Sequence, residues 1–155
     1  YDGEEINLVS TRDYQHYYDS SVVIKEQLEN IGMNVNLEVY DWPTLTELVQ
    51  DPSKWHMRVN GFTFSADPTQ ILYLDSDYAG VVEDEAVINA MKAIEAAETE
   101  EEAKAEWEAL QEYLWTESLP ATKLGSYSHL YVLGEDVEGF IYSHGGQFWN
   151  VSVNN

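Results

Sequence analysis

The sequence predicts an α/β fold built on a mostly parallel sheet, and three observations carry that prediction. Residues 6–9 and 33–40 have strand patterns and enclose a stretch of helical period. A second, shorter helical stretch then leads to a third strand pattern at residues 56–62. Successive strand–helix–strand units give parallel strands joined by right-handed crossovers. In open sheets of this kind, ligands sit outside the carboxyl ends of the strands. The polar loop that follows the third strand and closes at Asp67-Pro68 is therefore the natural place to look for a site.

The first strand, Ile6-Asn-Leu-Val9, is short and apolar enough to be buried. Residues 10–13 form a loop. Ile24, Leu28 and Ile31 then recur at helical spacing with Val23 beside them, giving a helix over about residues 17–31. Gly32 follows as a left-handed cap. In residues 33–40, Met33, Val35, Leu37 and Val39 alternate onto one face. Asp41-Trp42-Pro43-Thr44 turns into a helix with proline in its first turn, and Leu45, Leu48 and Val49 supply its apolar face. Asp51-Pro52 stops it. Asp67 with Pro68 is expected to start a short helix over residues 69–74. Two longer helices follow, at about residues 85–95 and 100–115. Thr99 and Glu102 match a capping box between them. Beyond Leu119-Pro120 the texture changes to short strand patterns at residues 123–133, 140–143 and 148–153, punctuated by glycine.

Twenty-nine Asp and Glu against seven Lys and Arg give a formal net charge of −22. Such a surface repels nucleic-acid backbones and anionic headgroups, so both are poor partners. There is no cysteine, which excludes disulfides, thiolate metal sites and a cysteine nucleophile. No run approaches the roughly 20 apolar residues of a membrane span. The chain opens Tyr-Asp-Gly without Met, which reads as a processed or excised piece of a longer protein.

Motifs for catalysis are not found. There is no G-x-S-x-G elbow and no G-x-x-x-x-G-K phosphate loop. Asp41 and Asp67 fall near strand ends, but carboxylates there are common in α/β folds and make a weak catalytic pair. The histidines His16, His56, His129 and His144 have no compact metal spacing. Glu100, Glu101, Glu102 and Glu106 form a solvated acidic helix face. The expectation is a protein that is not an enzyme and carries no metal or cofactor.

The ordered set of elements resembles the C-terminal lobe of bacterial extracellular solute-binding proteins of family 5, the peptide- and nickel-type receptors of ABC importers. The resemblance rests on Val22-Val-Ile-Lys-Glu-Gln-Leu-Glu-Asn-Ile-Gly32, Asn34-Val-Asn-Leu-Glu-Val-Tyr-Asp-Trp42, residues 55–62 with Asp67-Pro68, residues 115–122, and Val137-Glu-Gly-Phe140 with Phe148-Trp-Asn-Val151. It implies one lobe of a periplasmic-binding-protein type II fold. Residues 1–118 would be the lobe core, and 119–155 a segment returning toward an upstream lobe that this chain does not contain. It further implies extracytoplasmic capture of a peptide by hinge closure, delivery to ABC permease subunits, and a periplasmic or lipid-anchored location. Peptide receptors of the family often place an aspartate in the loop after the Gly-aromatic pair. Here that loop reads Thr63-Phe64-Ser65-Ala66, without an acid before Asp67.

The candidate ligand-binding residues are Phe62, Thr63, Phe64, Ser65, Trp42, Asp67 and Arg58. Phe62 and Phe64 would share one face of an extended segment as an apolar wall. Thr63 and Ser65 offer hydroxyls. Arg58 is a rare cation that could meet a ligand carboxylate or close a local ion pair. Trp42 lies at the end of the second strand, and Asp67 fits a helix cap better than a ligand contact. Arg12 and Tyr14 are similarly placed after the first strand. Other readings are a sensory or interaction module using the same lobe, and a non-peptide solute such as a nickel complex or opine.

Overall fold

The computed structural model describes residues 1–63, 65, 67–78, 81, 83–128, 130–142 and 146–154. Two compact units divide the chain, Tyr1–Ala121 and Thr122–Asn155.

The first unit is organised by β1 (Glu5–Thr11), which lies between β2 (Asn34–Tyr40) and β3 (Met57–Arg58) in an all-parallel sheet of order β2-β1-β3. Ile6 pairs with Val35 and Leu8 with Leu37 on one side, and Leu8 pairs with Met57 on the other. Both faces of β1 are covered. Val9 packs with Leu45 and Val49 around α2 (Trp42–Leu48). The neighbouring Ser10, on the opposite face, hydrogen-bonds to Ser21 of α1 (Gln15–Asn30) at 2.9 Å. The Ser21 hydroxyl also reaches the Tyr17 carbonyl at 2.8 Å, so this buried polar pair is satisfied. Opposite crossovers from a shared central strand thus put α1 and α2 on opposite faces.

Local chemistry sets the boundaries. Gly32 takes φ +89°, and its N–H and that of Met33 close onto Glu29 and Leu28 at 3.0 Å each, a left-handed helix stop that a side chain would strain. Asp41 caps α2 by accepting from the Thr44 N–H at 2.8 Å, with Pro43 in the first turn. Val35 is buried, Leu37 half-buried and Val39 exposed, so the apolar alternation of β2 is buried only toward its start.

A second apolar cluster joins α3 (Glu85–Ala96) to α4 (Glu100–Tyr113). Val87, Ile94 and Leu110 are buried there with Leu74, and Ile71, Met91 and Trp107 pack around them. Thr99 accepts from the Glu102 N–H at 3.2 Å, and the Glu102 carboxylate accepts from the Glu98 N–H at 3.1 Å. This is the expected capping box with its return bond moved back by one residue. Asp84 does two jobs. It caps α3 through the Ala86 and Val87 N–H groups, and it accepts from Tyr113 (3.1 Å) and from Ser118 (2.9 Å) in the π-helical turn Leu114–Ser118. The start of α3 is thereby pinned to the end of α4.

In the second unit, β4 (Val137–Glu138) pairs antiparallel with β7 (Ser152–Val153), and β5 (Ile141–Tyr142) with β6 (Gly146–Gln147). The rings of Tyr131, Phe140, Tyr142 and Phe148 meet in tilted and edge-to-face pairs at centroid spacings of 5.3 Å. Many apolar side chains stay open to solvent, among them Leu130 (91% exposed), Val132 (96%) and Trp149 (79%).

Three sequence expectations are corrected. The third strand spans only Met57–Arg58 rather than residues 56–62. Beyond Arg58 the Asn60 side chain accepts from the Gly61 N–H (3.0 Å), and such local bonds compete with a ladder. The helix expected over residues 69–74 is two 3₁₀ turns, Pro68–Gln70 and Leu72–Leu74. Asp67 caps only two residues ahead, at Thr69, and Ile71 is extended between the turns. Residues 123–133 form no ladder among those described, because a strand pattern needs a paired neighbour.

Partial burial raises the Asp84 pKa, but the bonds from Ser118, Tyr113 and the two amides outweigh it and hold it below the ordinary carboxylate value. Its contribution to stability is then present above about pH 4 and lost as pH falls through the depressed folded pKa. Asp84→Ala is expected to lower Tm by about 3–6 °C at neutral pH and to flatten the acid limb of the stability curve. Thermal melts of both proteins from neutral to acidic pH check this.

Candidate ligand site at the strand ends

The loops leaving β1, β2 and β3 at their carboxyl ends carry aromatic side chains, and packing draws those rings together. Thr11 folds back to accept from the Asp13 N–H at 3.1 Å, and the Asp13 carboxylate accepts from the Trp42 N–H at 2.6 Å. This fastens the first loop to the second. Trp42 then meets Tyr14 edge-to-face, with centroids 5.0 Å apart at 85°. Tyr14 lies 5.1 Å from Tyr17, whose ring packs on His16 at 4.4 Å.

Gly61 connects this group to the third loop. A Cβ on Gly61 would run into the Tyr17 hydroxyl, so the absence of a side chain lets the loop lie against α1 without displacing that ring. Phe62 follows and packs edge-on against Tyr73 (5.5 Å) and Tyr78 (5.9 Å). Arg58, at the end of β3, is half-buried with its guanidinium 5.5 Å from the Trp55 ring and 6.0 Å from the Tyr78 ring. Burial pulls its pKa down, yet an arginine keeps its charge. The aromatic faces partly replace its lost water. The Trp55 Nε1 is buried without a hydrogen-bond partner among the described residues.

The structure therefore brings Phe62 and Arg58 together on the Tyr78 ring, and sets Trp42 against Tyr14. Thr63 is exposed beside Phe62. The Ser65 hydroxyl accepts from the Asp67 N–H (3.3 Å) and reaches the Gln70 side chain (3.4 Å), so it helps build the turn. Asp67 accepts from the Thr69 hydroxyl (2.7 Å) and N–H (2.9 Å). Those bonds lower its pKa and keep it ionised. Phe64 lies outside the described residues, as do His129 and His144. His56 is part of the sheet margin: its N–H donates to the Asn7 carbonyl and its Nδ1 accepts from the Asn7 N–H, both at 2.9 Å. Arg12 extends along the surface to donate to the Tyr18 hydroxyl (3.1 Å) and cover its ring.

Tyr17, Tyr73, Tyr78 and Trp55 were not expected from the sequence. The tyrosine-rich run Tyr14-Gln-His-Tyr-Tyr18 at the start of α1 was the available signal for the first. Nothing local marks Tyr73 and Tyr78, which meet Phe62 only through the fold. Among the described residues, no group of three or more His, Asp or Glu could hold a metal ion. No helix among them is long and apolar enough to cross a membrane.

No protein-family model matches the sequence. Among solved structures, the chain is similar to the oligopeptide-binding protein AppA from Bacillus subtilis, determined in complex with a nonapeptide. The TM-score is 0.69 at 22% identity, over 99% of this chain and 33% of that one. The fold is of the periplasmic-binding-protein kind. A parallel sheet flanked by helices was the architecture expected from the sequence, and the chain spans about a third of that neighbour's length.

The contact between Gly61 and Tyr17 gives a direct check on how the strand-end rings are held. Gly61→Ala should displace the Tyr17 ring and destabilise the protein by about 1–3 kcal/mol, the range for overpacking. Adding Tyr17→Phe removes the clashing oxygen and should recover most of that loss. Thermal melts of the single and double variants measure it. Equal stability of Gly61→Ala and the parent protein would show that the loop does not depend on this approach.

Proposed function

We propose that this chain is one lobe of an extracytoplasmic solute-binding protein of family 5 that captures peptides for an ABC importer without chemical conversion. The observation that carries the reading is the presence of two aromatic groups, Trp42 with Tyr14 and Phe62 with Tyr78 and Arg58, on the loops at the carboxyl ends of parallel strands. That is where open α/β sheets hold ligands. Ring faces can stack on peptide side chains and backbone whatever their sequence, and a half-buried cation can meet a carboxylate. The similar fold of a protein solved with a nonapeptide supports a peptide rather than a nickel complex or opine.

Capture in such a clamp requires a second wall. The exposed apolar side chains of residues 122–155, Leu130, Val132, Phe148 and Trp149 among them, fit a segment that packs against a further part of the same protein. The chain's coverage of a third of its structural neighbour fits the same reading. Closure of two lobes would bury the ligand and give the closed state its affinity. One lobe alone retains part of the contacts and binds weakly. Permease subunits would be the partners of the closed form, outside the cell membrane.

Amide chemical-shift titration with pooled peptides of about two to five residues tests the reading, because it detects the millimolar affinity expected of a half-site. Saturable shifts are expected at Arg58, Gly61–Thr63 and the Trp42 indole. Phe62→Ala should weaken them about two- to tenfold, the worth of an aromatic contact. A folded protein whose shifts stay elsewhere, or that does not respond to peptide at the solubility limit, would overturn the assignment of this surface.

A further inference from the structure

Asn60 is the one asparagine of the chain that precedes a glycine. It stands just past the end of β3, and neither it nor Gly61 belongs to a strand or a helix. The Asn60 carboxamide oxygen accepts from the Gly61 N–H at 3.0 Å. That contact folds the Asn60 side chain back over the next peptide unit and holds the Gly61 nitrogen against the carboxamide. Both residues are half-buried, so water reaches them. Their loop leads directly to Phe62, whose ring packs on Tyr73 and Tyr78.

A side chain held in this way can react with its own backbone. The Gly61 nitrogen, once its proton has passed to hydroxide, attacks Asn60 Cγ, and the new N–C bond closes a succinimide ring. The Cγ–Nδ2 bond breaks, and that nitrogen takes a proton from water and leaves as ammonia. Water then opens the ring at either carbonyl. Addition at Cγ gives aspartate, and addition at the backbone carbon gives isoaspartate, in which the main chain runs through the former side chain. Pre-set proximity of the reacting groups lowers the entropic part of the barrier. Glycine leaves the attacking nitrogen unshielded, whereas every other asparagine with a residue after it is followed by one that bears a side chain. Packing enforces that choice, because a Cβ at Gly61 would run into the Tyr17 hydroxyl. Asn7, Asn34 and Asn36 lie in β1 and β2, and Asn30 and Asn89 in α1 and α3, where regular backbone bonds oppose the rotation that ring closure needs.

We propose that Asn60 is a site of self-modification, converting through a succinimide with Gly61 to an aspartyl or isoaspartyl residue and so ageing the strand-end loop. Both products place a new carboxylate on the loop that carries Arg58 and Phe62. The isoaspartyl form also inserts a backbone carbon before Gly61. That lengthens the run from β3 to Phe62 and draws its ring off Tyr73 and Tyr78. The conversion needs only these two residues and water. Its effect on peptide capture, by contrast, rests on the function proposed above.

The test is incubation of the full chain at neutral and mildly alkaline pH, with peptide mapping by mass spectrometry and detection of isoaspartate by enzymatic methylation. Conversion is expected at Asn60 before any other asparagine, at a rate that rises with pH because the Gly61 nitrogen must lose its proton. The folded chain should convert at least as fast as the same chain in urea, since the fold holds the reacting groups together. Asn60→Gln should remove the signal, because the longer side chain closes a less favourable ring. Gly61→Ala with Tyr17→Phe accommodates a methyl group beside the nitrogen and should slow conversion several-fold. The Phe62 and Tyr78 ring resonances should move as isoaspartate accumulates. Slower conversion in the folded chain than in urea would show that the loop protects the amide and overturn the proposal. So would first conversion at another asparagine. Conversion that leaves the peptide titration unchanged supports the modification and counts against the strand-end peptide surface. An Asn60 that stays intact in a chain showing the peptide shifts overturns the modification alone.

Discussion

The burial of β1 on every side is the constraint from which the first unit follows. Leu8 and Val9 are 0% exposed, and Ser10 and Thr11 are equally closed off. A strand in that position must satisfy both edges and both faces, because an unpaired buried backbone group costs about as much as a lost hydrogen bond. Parallel neighbours on the two edges supply the first requirement. Helices from opposite crossovers supply the second, with Val9 against α2 and Ser10 against α1. Burying an aliphatic side chain of this size contributes roughly 1.5–3 kcal/mol. That is enough to fix register, since a slip of one residue would send Val9 to the α1 face and Ser10 into the apolar α2 side. Once the register is fixed, three loops must emerge together at one end of the sheet.

What those loops carry is aromatic and cationic, in a chain that is otherwise strongly acidic. The local acids are already committed. Asp13 holds the Trp42 amide, and Asp41 caps α2 through Thr44, whose bonds lower its pKa. Neither is left to dominate recognition by charge. The area on offer is ring face, with Arg58 set among it. Binding through such a surface depends on apolar contact and tolerates varied side chains. Gly61 has a matching structural logic. Its bare backbone lets the Tyr17 ring lie against the third loop, one residue before Phe62.

Much of this architecture was legible in the sequence where a local rule and the tertiary environment agree. The α1 stop at Gly32, the cap at Asp41, and the Leu45/Val49 face of α2 follow from residue chemistry within a few positions. The Thr99–Glu102 cap separating α3 from α4 follows in the same way. The third strand was overread because residues 56–62 have the composition of a strand, while Asn60 and Gly61 divert the backbone to local bonds and to Tyr17. Residues 123–133 have the β-branched and aromatic texture of strands, but pairing is a property of neighbours rather than of composition. At the candidate site, place near a strand end singled out Trp42 and Phe62, and rarity of charge singled out Arg58. Tyr78, which meets both Phe62 and Arg58, comes from a distant loop and could be found only in three dimensions.

The acidic composition acquires a partial explanation from the same local view. Asp41, Asp51 and Asp67 each precede or nearly precede a proline and accept from an amide two or three residues on. Asp84 does the same at the start of α3. Hydrogen bonding lowers the pKa of the first three, and in Asp84 it overcomes the opposing effect of burial. These carboxylates are structural punctuation. They must stay charged to work, because the protonated form is a poorer acceptor. The remaining acids are carried mostly on exposed helix faces, where pairs such as Lys25–Glu29 and Lys104–Glu108 contribute little. Unbalanced charge of that kind exerts its effect through the field around the whole surface.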